Sequence, residues 1–507
     1  MRKNDSSVTR YFGFPIDVLI VIISVVCIII ATLYPFNFSI PPDFSWSTIF
    51  DSFDNTSFFD DQVNNILLFM PLGFSVGSIL HRNQVQLFFQ IILVVIIGAS
   101  LSFSVELSQS FLASRSPTPE DILNNTIGNF VGLACFYICD SHRFNGILTK
   151  IENSSFGNSK KQIIFLFSAY IILTFLVGIS WQNQLSLSSW SQKFPLILGN
   201  EGTGDRPWQG YISQIGFTDK AMSKNQIEEI LTHPNYLAKN QELLIGNYQF
   251  DGKNNYRDTR GNLPDLLWQE QLSTSEDDIQ NRVTEKGVTL TPISWLKSAE
   301  PAQIINKKIR TTSEFTVITN LATTNYNQAG PARIISLSRD TLNSNLTIGQ
   351  ERKDFALRLR TPLTGGNGAN IKIDIPNVFA DTNNHQFVIT YSQGIVSIYI
   401  DKFENYYRFN LLELLPNNQK VLSYAITFLP LGLCLALISI IGKRKFCNLT
   451  RLIFITGIIL PSLIVESILI NITGKNFNLI NIAMGVFFTA CIALILPSIK
   501  AMKKQVN

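Results

Sequence analysis

The chain has 507 residues, of which 46% are hydrophobic and 15% are charged, and its formal net charge is +4. This charge is too small to indicate nucleic-acid binding. All six cysteines lie in apolar segments or short basic loops, so no disulfide framework is predicted. The mean hydropathy of +0.18 averages two Ile-, Leu-, Val- and Phe-rich regions and a polar region between them. This segregation predicts two membrane blocks flanking one soluble domain.

Several segments are long and apolar enough to cross a membrane, since a spanning helix needs about 20 mostly apolar residues. Lys and Arg precede the first segment and occupy alternate connections, whereas the 35–62 connection has neither. Such residues favour the cytoplasmic side, so we predict a multi-pass protein of the cytoplasmic (inner) membrane with both termini cytoplasmic. The eight predicted spans are 14–34, 64–80, 87–108, 121–140, 162–181, 421–442, 451–471 and 478–499.

A polar hairpin joins the third and fourth predicted spans on the predicted outer side. Glu106 and Gln109 share one helix face, and Arg115 suits a phosphate or carboxylate because its planar fork makes two hydrogen bonds. Ionisable groups beside hydrocarbon are costly, which makes this cluster a candidate functional site. The structural alternative is that these groups cap helix ends and join two helices. The candidate outer polar pocket comprises Asn65, Glu106, Gln109, Arg115, Asp121, Asn124 and Asn125.

Landmarks of the first membrane block recur in the second in the same order. The second copy lacks counterparts of Asn65, Gln109 and Arg115, so any binding or chemistry is expected in the first. The order predicts a parallel repeat of four plus four spans. The matches are Phe69-Met-Pro71-Leu72-Gly73 with Phe428-Leu-Pro430-Leu431-Gly432, Val105-Glu106 with Val465-Glu466, and Asp121-x-x-Asn124-x-x-x-Gly128 with Asn478-x-x-Asn481-x-x-x-Gly485.

Four of these positions also have structural uses. Pro71 removes a backbone hydrogen bond inside a span and frees a carbonyl for another partner. Gly73 with Gly77, and Gly128 with Gly132, form small-xxx-small pairs that permit close helix approach. We therefore predict a structural role for Pro71, Gly73, Gly128 and Gly132.

The first membrane block resembles the VanZ-like membrane family over about 15–140. Residues 421–499 resemble the same family more weakly, as a degraded repeat. The family is named for a protein associated with low-level resistance to the glycopeptide teicoplanin. The resemblance implies a setting in the bacterial envelope and does not supply a reaction. It is carried by Asn65-x-x-x-Phe69-x-Pro71-Leu72-Gly73, Glu106-x-x-Gln109, Arg115, Asp121-x-x-Asn124 and Gly128-x-x-x-Gly132.

The polar region from 185 to 418 contains short alternating strands separated by Gly, Asn and Asp turns, a pattern that predicts a two-sheet sandwich. Arg206-Pro-Trp208-Gln-Gly, Tyr248-Gln-Phe-Asp-Gly and the 385–401 hairpin resemble the LamG, concanavalin A-like group. In that group the Arg-Pro-Trp stretch usually comes late in the domain. Here it comes first, so the strand order resembles a circular permutation. The resemblance implies an external lectin-like domain that binds carbohydrate.

Binding is favoured over catalysis for this domain. Glycoside hydrolysis usually needs two carboxylates about 5–10 Å apart, and the acids here do not form the E-x-D-x-x-E pattern of hydrolases with this fold. Trp208 is a candidate ligand contact, with a place in the core as the alternative. Asp251 and Asp258 are candidate calcium ligands, with turn formation as the alternative. No other cofactor and no zinc site are predicted.

The predicted architecture is an α-helical polytopic membrane protein with an inserted all-β concanavalin A-like sandwich. We predict an envelope protein that binds a cell-wall glycan or exopolysaccharide beside membrane lipid, in envelope or exopolysaccharide processes or in a glycopeptide response. The alternatives are a membrane enzyme acting on a lipid-linked saccharide at the outer leaflet, and a non-catalytic scaffold. The predicted parts are 1–145 (four spans), 146–184 (cytoplasmic linker and fifth span), 185–418 (external sandwich) and 419–507 (three spans).

Overall fold

A computed structural model describes most of the chain. The chain divides into two compact units, one formed by 1–164, 437–451 and 497–507, the other by 165–436 and 452–496. The described residues are 10–11, 14–39, 59–112, 118–139, 146, 149–150, 159–233, 236–250, 256–270, 283–284, 287–328, 330–443 and 446–504.

The first unit is built from long apolar helices. Ile28, Phe69, Val94 and Leu133 come from four different helices and are buried together in its core. Each helix buries one side in this core and exposes further apolar side chains, for example Ile22 and Ile96, a pattern typical of membrane helices. The four helices are α1 (Ile16–Leu33), α2 (Phe59–Arg82), α3 (Leu87–Gln109) and α4 (Pro119–Cys139). A short strand pair, β1 (Arg10–Tyr11) and β2 (Phe14–Pro15), precedes α1.

Glycine allows α2 and α4 to pack backbone against backbone. A Cβ atom at Gly73 would lie 1.8 Å from the carbonyl oxygen of Asn129, and one at Gly128 would lie 2.3 Å from that of Ile66. Gly132 approaches the carbonyl oxygen of Met70 in the same way, at 2.0 Å. Such close approach is the packing that small residues permit between membrane helices.

Helix α5 (Lys160–Asn183) leads into two antiparallel sheets. Residues alternate between the two faces of each strand, so every strand offers one face to the other sheet. The strands are β3 (Leu196–Leu198), β4 (Gly210–Thr218), β5 (Gly246–Gln249), β6 (Leu266–Glu270), β7 (Val283–Thr284), β8 (Gly287–Leu290), β9 (Ser294–Ser298), β10 (Glu314–Thr323), β11 (Ala332–Ser338), β12 (Ser344–Glu351), β13 (Asp354–Leu359), β14 (Ile373–Ile375), β15 (His385–Ser392), β16 (Ile395–Ile400) and β17 (Lys402–Asn410).

The two sheets form a β-sandwich. The eight-stranded sheet has the order β17-β16-β15-β10-β4-β8-β7 with β5 also paired to β4, and the seven-stranded sheet has the order β14-β13-β12-β11-β3-β9-β6. Phe355 from one sheet stacks on Phe387 from the other, with ring centroids 5.2 Å apart. Trp208 is fully buried and its indole Nε1 donates to Oε1 of Gln350 at 2.8 Å. These contacts place the core between the sheets.

Short helices accompany the sandwich. Ser223 caps α6 through a reciprocal hydrogen-bond pair with Gln226, the arrangement known as a capping box. Ile227 and Ile230 of α6 pack with Ile318 and Val388 against the outer face of the eight-stranded sheet. The helices are α6 (Lys224–Thr232), α7 (Tyr236–Lys239) and α8 (Gln303–Thr312).

Three long helices follow the sandwich: α9 (Asn417–Lys443), α10 (Cys447–Thr473) and α11 (Leu479–Lys504). The Tyr170 hydroxyl of α5 donates to the carbonyl oxygen of Gly457 in α10 at 2.7 Å. Trp181 Nε1 of α5 donates to Oγ1 of Thr427 in α9 at 3.0 Å. Hydrogen bonds therefore join α5 to both α9 and α10.

In the described part of the chain, six helices are long and apolar enough to cross a membrane, and Leu479–Leu494 is a shorter apolar helix. Helix α4 is not among the six. Its first half carries Glu120, Asp121, Asn124 and Asn125, which lower its hydropathy. The structure therefore supports a polytopic membrane protein with a β domain. The six long helices are Ile16–Leu33, Asp61–Arg82, Leu87–Gln109, Lys160–Asn183, Gln419–Gly442 and Cys447–Thr473.

Candidate functional site

The carboxylate of Glu106 lies near the C-terminal end of α3 and is almost completely buried. Its Oε2 accepts a hydrogen bond from the backbone N–H of Thr118 at 2.9 Å. The Thr118 hydroxyl oxygen in turn accepts from the backbone N–H of Asp121 at 3.2 Å, which places Thr118 at the N-terminal cap of α4. Glu106 therefore helps to hold the start of α4 next to the end of α3.

Amide side chains extend this contact between helices. Nδ2 of Asn125 donates to the Ser102 hydroxyl at 2.8 Å, and Nδ2 of Asn129 donates to the Val94 carbonyl at 2.6 Å. The side-chain oxygens of both Asn125 and Asn129 are buried, and the described part of the chain offers neither a hydrogen-bond partner. Hydrogen bonds of this kind hold membrane helices together. Sequence reasoning did not identify Ser102 or Asn129, although Asn129 follows Asn125 by one helical turn.

The other predicted members of this pocket have different surroundings. Gln109 is buried and its Nε2 donates to the Thr32 carbonyl at the end of α1, at 3.1 Å. Asp121 lies near enough to Glu106 to interact electrostatically. Asn65 on α2 and Asn124 on α4 are half-buried. Arg115 lies outside the described residues, so an outward-opening pocket that includes it stays a prediction.

A second buried carboxylate, Glu466 on α10, makes an ion pair. Lys475 Nζ lies 2.7 Å from Glu466 Oε2, and both side chains are 3% exposed. The Tyr424 hydroxyl contacts the same oxygen at 3.4 Å, and Asn481 Nδ2 contacts Oε1 at 3.4 Å. A buried charge needs a partner of this kind. Lys475 lies in the short connection between α10 and α11, and the structure gives its charge a specific partner.

The turn that carries Lys475 also contacts the sandwich. Asn410, the last residue of β17, donates from Nδ2 to the Thr473 carbonyl at 3.3 Å. Arg408 Nη2 approaches the Gly474 carbonyl at 3.4 Å, and the backbone N–H of Asn476 donates to Glu413 at 2.9 Å. The α10–α11 turn thus joins the ion pair to the end of the sandwich.

A polar groove opens on the outer face of the eight-stranded sheet beside α6 and α7. It consists of two hollows, with volumes of 240 and 640 Å³, that share Asn384. Asn320 and Gln386 lie two residues from Ile318 and Val388, which pack under α6, and therefore occupy the same sheet face. The floor and walls are contributed by Tyr211, Ser213, Gln214, Asn320, Asn384 and Gln386.

An irregularity in strand pairing shapes this groove. Asn320 of β10 pairs with Gln214 of β4, but the next residue, Leu321, pairs with Ile212, so Ser213 is an extra residue in β4. A β-bulge of this kind re-aims side chains. Ser213 and Gln214 consequently both line the groove although they are sequence neighbours. Sequence reasoning missed the groove because its residues come from separate strands.

One end of the groove carries charge. His385 Nδ1 lies 2.7 Å from Oδ2 of Asp401, which lines the smaller hollow, and His385 Nε2 lies 3.3 Å from Oδ1 of Asp381. The hydrogen bond to Asp401 raises the pKa of His385, partial burial opposes it, and the two negative charges add to the rise. This imidazole is therefore protonated more readily in the folded protein than in the unfolded chain.

The structure also places the sandwich residues singled out by sequence. Trp208 is fully buried, so it occupies the core rather than a ligand surface. Asp258 accepts from the backbone N–H groups of four residues, which is the role of a turn-forming residue; they are Asn247, Arg260, Asn262 and Leu263. Asp251 lies outside the described residues. Within the described ranges, no group of three or more His, Cys, Asp and Glu side chains could hold a metal ion.

Comparison with known proteins identifies one part of this chain. No curated protein and no solved structure matches it. A family model described as VanZ/LLP1 matches residues 18–140, which include most of α1, all of α2, α3 and α4, the Glu106 contact and the close glycine packing. Together with the apolar helices, this match shows that the N-terminal part of the chain is similar to VanZ-like membrane proteins.

Proposed function

We propose that this protein resides in the bacterial cytoplasmic membrane and binds an envelope glycan through its β-sandwich, which faces the external or periplasmic side. The observation that carries the proposal is the open groove lined by amide and hydroxyl groups. Ligand sites typically combine a concave shape with a few well-placed polar groups. The VanZ-like region supports the membrane setting, and the distribution of Lys and Arg supports the external position of the sandwich.

The proposed sandwich is LamG or concanavalin A-like in a permuted order. Its two antiparallel sheets and its Arg206-Pro-Trp208 stretch support this assignment. The proposed partners are an envelope or exopolysaccharide glycan and the lipid around the helices. Such a protein would act in envelope or exopolysaccharide processes, or in a glycopeptide response.

We also propose that the membrane part is a parallel four-plus-four repeat with eight spans. Lys475 follows Glu466 by nine residues, as Arg115 follows Glu106. Lys475 is therefore a counterpart of Arg115 in charge and position, which revises the expectation that the second copy has none. The ion pair with Glu466 supports a structural use for this position in the second copy.

A membrane enzyme acting on a lipid-linked saccharide at the outer leaflet is the second candidate. It is favoured by the proximity of two acids, Glu106 and Asp121, since paired carboxylates perform acid–base chemistry. The hydrogen bond from Thr118 to Glu106 favours the structural role instead. Turnover of a lipid-linked saccharide that Glu106→Gln abolishes, while the helices stay folded, would establish the enzyme.

The glycan-binding function is tested with the full-length protein in lipid nanodiscs. Polysaccharide isolated from the bacterium's own envelope is presented to these nanodiscs, and binding is followed by biolayer interferometry. Saturable binding above that of protein-free nanodiscs is expected. Absence of such binding would reject the proposed function. A non-catalytic scaffold would then be the remaining non-enzymatic hypothesis.

A further inference from the structure

The groove described above has a chemistry that restricts its ligand, and this inference rests on the proposed glycan-binding function. Its polar lining is dominated by side-chain amides and hydroxyls, from Asn, Gln, Ser, Thr and Tyr residues. An amide offers both donors and acceptors, and a hydroxyl does the same. Sugar hydroxyl groups need this combination of partners.

Asn320 gives the groove an unused acceptor. Its side-chain oxygen is buried and has no hydrogen-bond partner among the described residues, and the residue lines the smaller hollow. An unsatisfied buried polar atom costs free energy. A hydroxyl group that enters the hollow beside Asn320 would supply the missing donor. Gln386 makes one long contact, from Nε2 to the Ile230 carbonyl at 3.4 Å, which a closer acceptor would replace.

The charge of the groove disfavours an acidic ligand. Neither hollow has a Lys or Arg among its described lining residues, and the smaller hollow contains the carboxylate of Asp401. Two imidazoles, His233 in the lining and His385 beside it, are the possible cationic partners, and both already face carboxylates: His233 faces Glu229, and His385 faces Asp401 and Asp381. A uronate or phosphate placed here would therefore lose hydration without gaining an unengaged cationic partner. A neutral sugar does not incur that cost.

We infer that the groove between α6–α7 and the strands β4, β10 and β15 binds a stretch of uncharged glycan. Asn320, Asn384 and Gln386 form hydrogen bonds with its hydroxyl groups. The half-exposed side chain of Tyr211 forms part of the wall, where an aromatic ring packs against the apolar face of a sugar ring.

The test separates the bacterium's envelope polysaccharide into neutral and acidic fractions by anion exchange. Each fraction is titrated into full-length protein in nanodiscs at low and high salt. Three variants are compared with the wild type. Asn384→Ala and Gln386→Ala remove groove amides, whereas Gln303→Ala removes an exposed amide on α8 that lies outside the groove. Circular dichroism confirms that each variant folds.

The neutral fraction is expected to bind with an affinity that salt does not change, since no charges are brought together. Each groove variant should weaken binding by about 3- to 10-fold, the equivalent of one hydrogen bond, and Gln303→Ala should leave it unchanged. Preference for the acidic fraction, or neutral binding that both groove variants leave intact, would overturn the inference and retain the proposed function. Absence of binding to both fractions would reject both.

Discussion

Gly73 and Gly77 lie one helical turn apart on α2 and form a matched pair of substitution sites. A Cβ atom at Gly73 would lie 1.8 Å from the backbone carbonyl oxygen of Asn129 on α4. A Cβ atom at Gly77 would lie 2.5 Å from Cδ1 of Leu133, the far end of a flexible side chain. Alanine at the first position therefore meets rigid backbone, and alanine at the second meets an atom that can move.

The free-energy consequences follow from these contacts. Ordinary van der Waals contact begins at 3.4 Å, so α4 must move away from α2 to admit Gly73→Ala, and the close packing over Gly128 and Gly132 is lost with it. Overpacking costs about 1–3 kcal/mol and occasionally more, and we expect the upper end. Replacing glycine by alanine within a helix returns about 1 kcal/mol. The net loss for Gly73→Ala is about 2 kcal/mol, whereas Gly77→Ala should be close to neutral.

Thermal unfolding of the full-length protein in detergent, followed by helical circular dichroism, measures this difference. The wild type, Gly73→Ala and Gly77→Ala are purified in the same detergent and compared at equal concentration. A lower midpoint is expected for Gly73→Ala alone. If both variants unfold at the wild-type temperature, or if Gly77→Ala is the more damaging, backbone contact between α2 and α4 does not hold this unit together.

Three further predictions concern the second unit. Lys475→Met should destabilise the protein by about 3–5 kcal/mol because it leaves the buried carboxylate of Glu466 without its cationic partner. In thermal unfolding, the double variant with Glu466→Met should recover most of that loss. Equal losses for the single and double variants would contradict the pairing. Because the pKa of His385 is raised in the folded protein, its protonation stabilises the sandwich below the unfolded pKa of about 6.5, and this contribution is lost as pH rises through the higher folded pKa. His385→Asn should therefore flatten the curve of thermal unfolding midpoint against pH in that window. An unaltered curve would refute this coupling. Asp258→Ala should lower the free energy of unfolding by about 3 kcal/mol because four N–H groups lose their acceptor. Added calcium should leave the thermal unfolding midpoint of the wild type unchanged. A calcium-dependent rise would indicate that Asp258 is a metal ligand instead.

Local sequence patterns were sufficient for the broad architecture. Runs of apolar residues indicated membrane helices, and alternating strands with turn residues indicated a β-sandwich; both are present. Gly73, Gly128 and Gly132 were assigned to helix packing, and the structure brings each to a backbone atom of the neighbouring helix. The total of eight spans and the repeat stay predictions. Polar residues lower the hydropathy of α4, so it is not among the six long apolar helices in the described part of the chain.

The hydrogen-bond partners of the buried polar side chains were much harder to predict from sequence. Glu106 and Asp121 were expected near each other, but the acceptor role of Glu106 toward the Thr118 backbone has no signature in residue type. The Trp208–Gln350 hydrogen bond joins positions far apart in the chain. Asp258 was a candidate for calcium binding with turn formation as the favoured alternative, and its four N–H donors match the turn.

The sequence by itself determined where the chain is apolar, where it forms strands and which glycines permit close approach, because these properties depend on residues a few positions apart. Tertiary structure alone decided which buried groups neutralise one another and where a ligand could enter. The pairing of Lys475 with Glu466 depends on how a turn closes over a helix end. The groove depends on the register of β4, β10 and β15 and on one extra residue at Ser213. Strand register and turn closure are set by the packing of distant segments, which local periodicity does not encode.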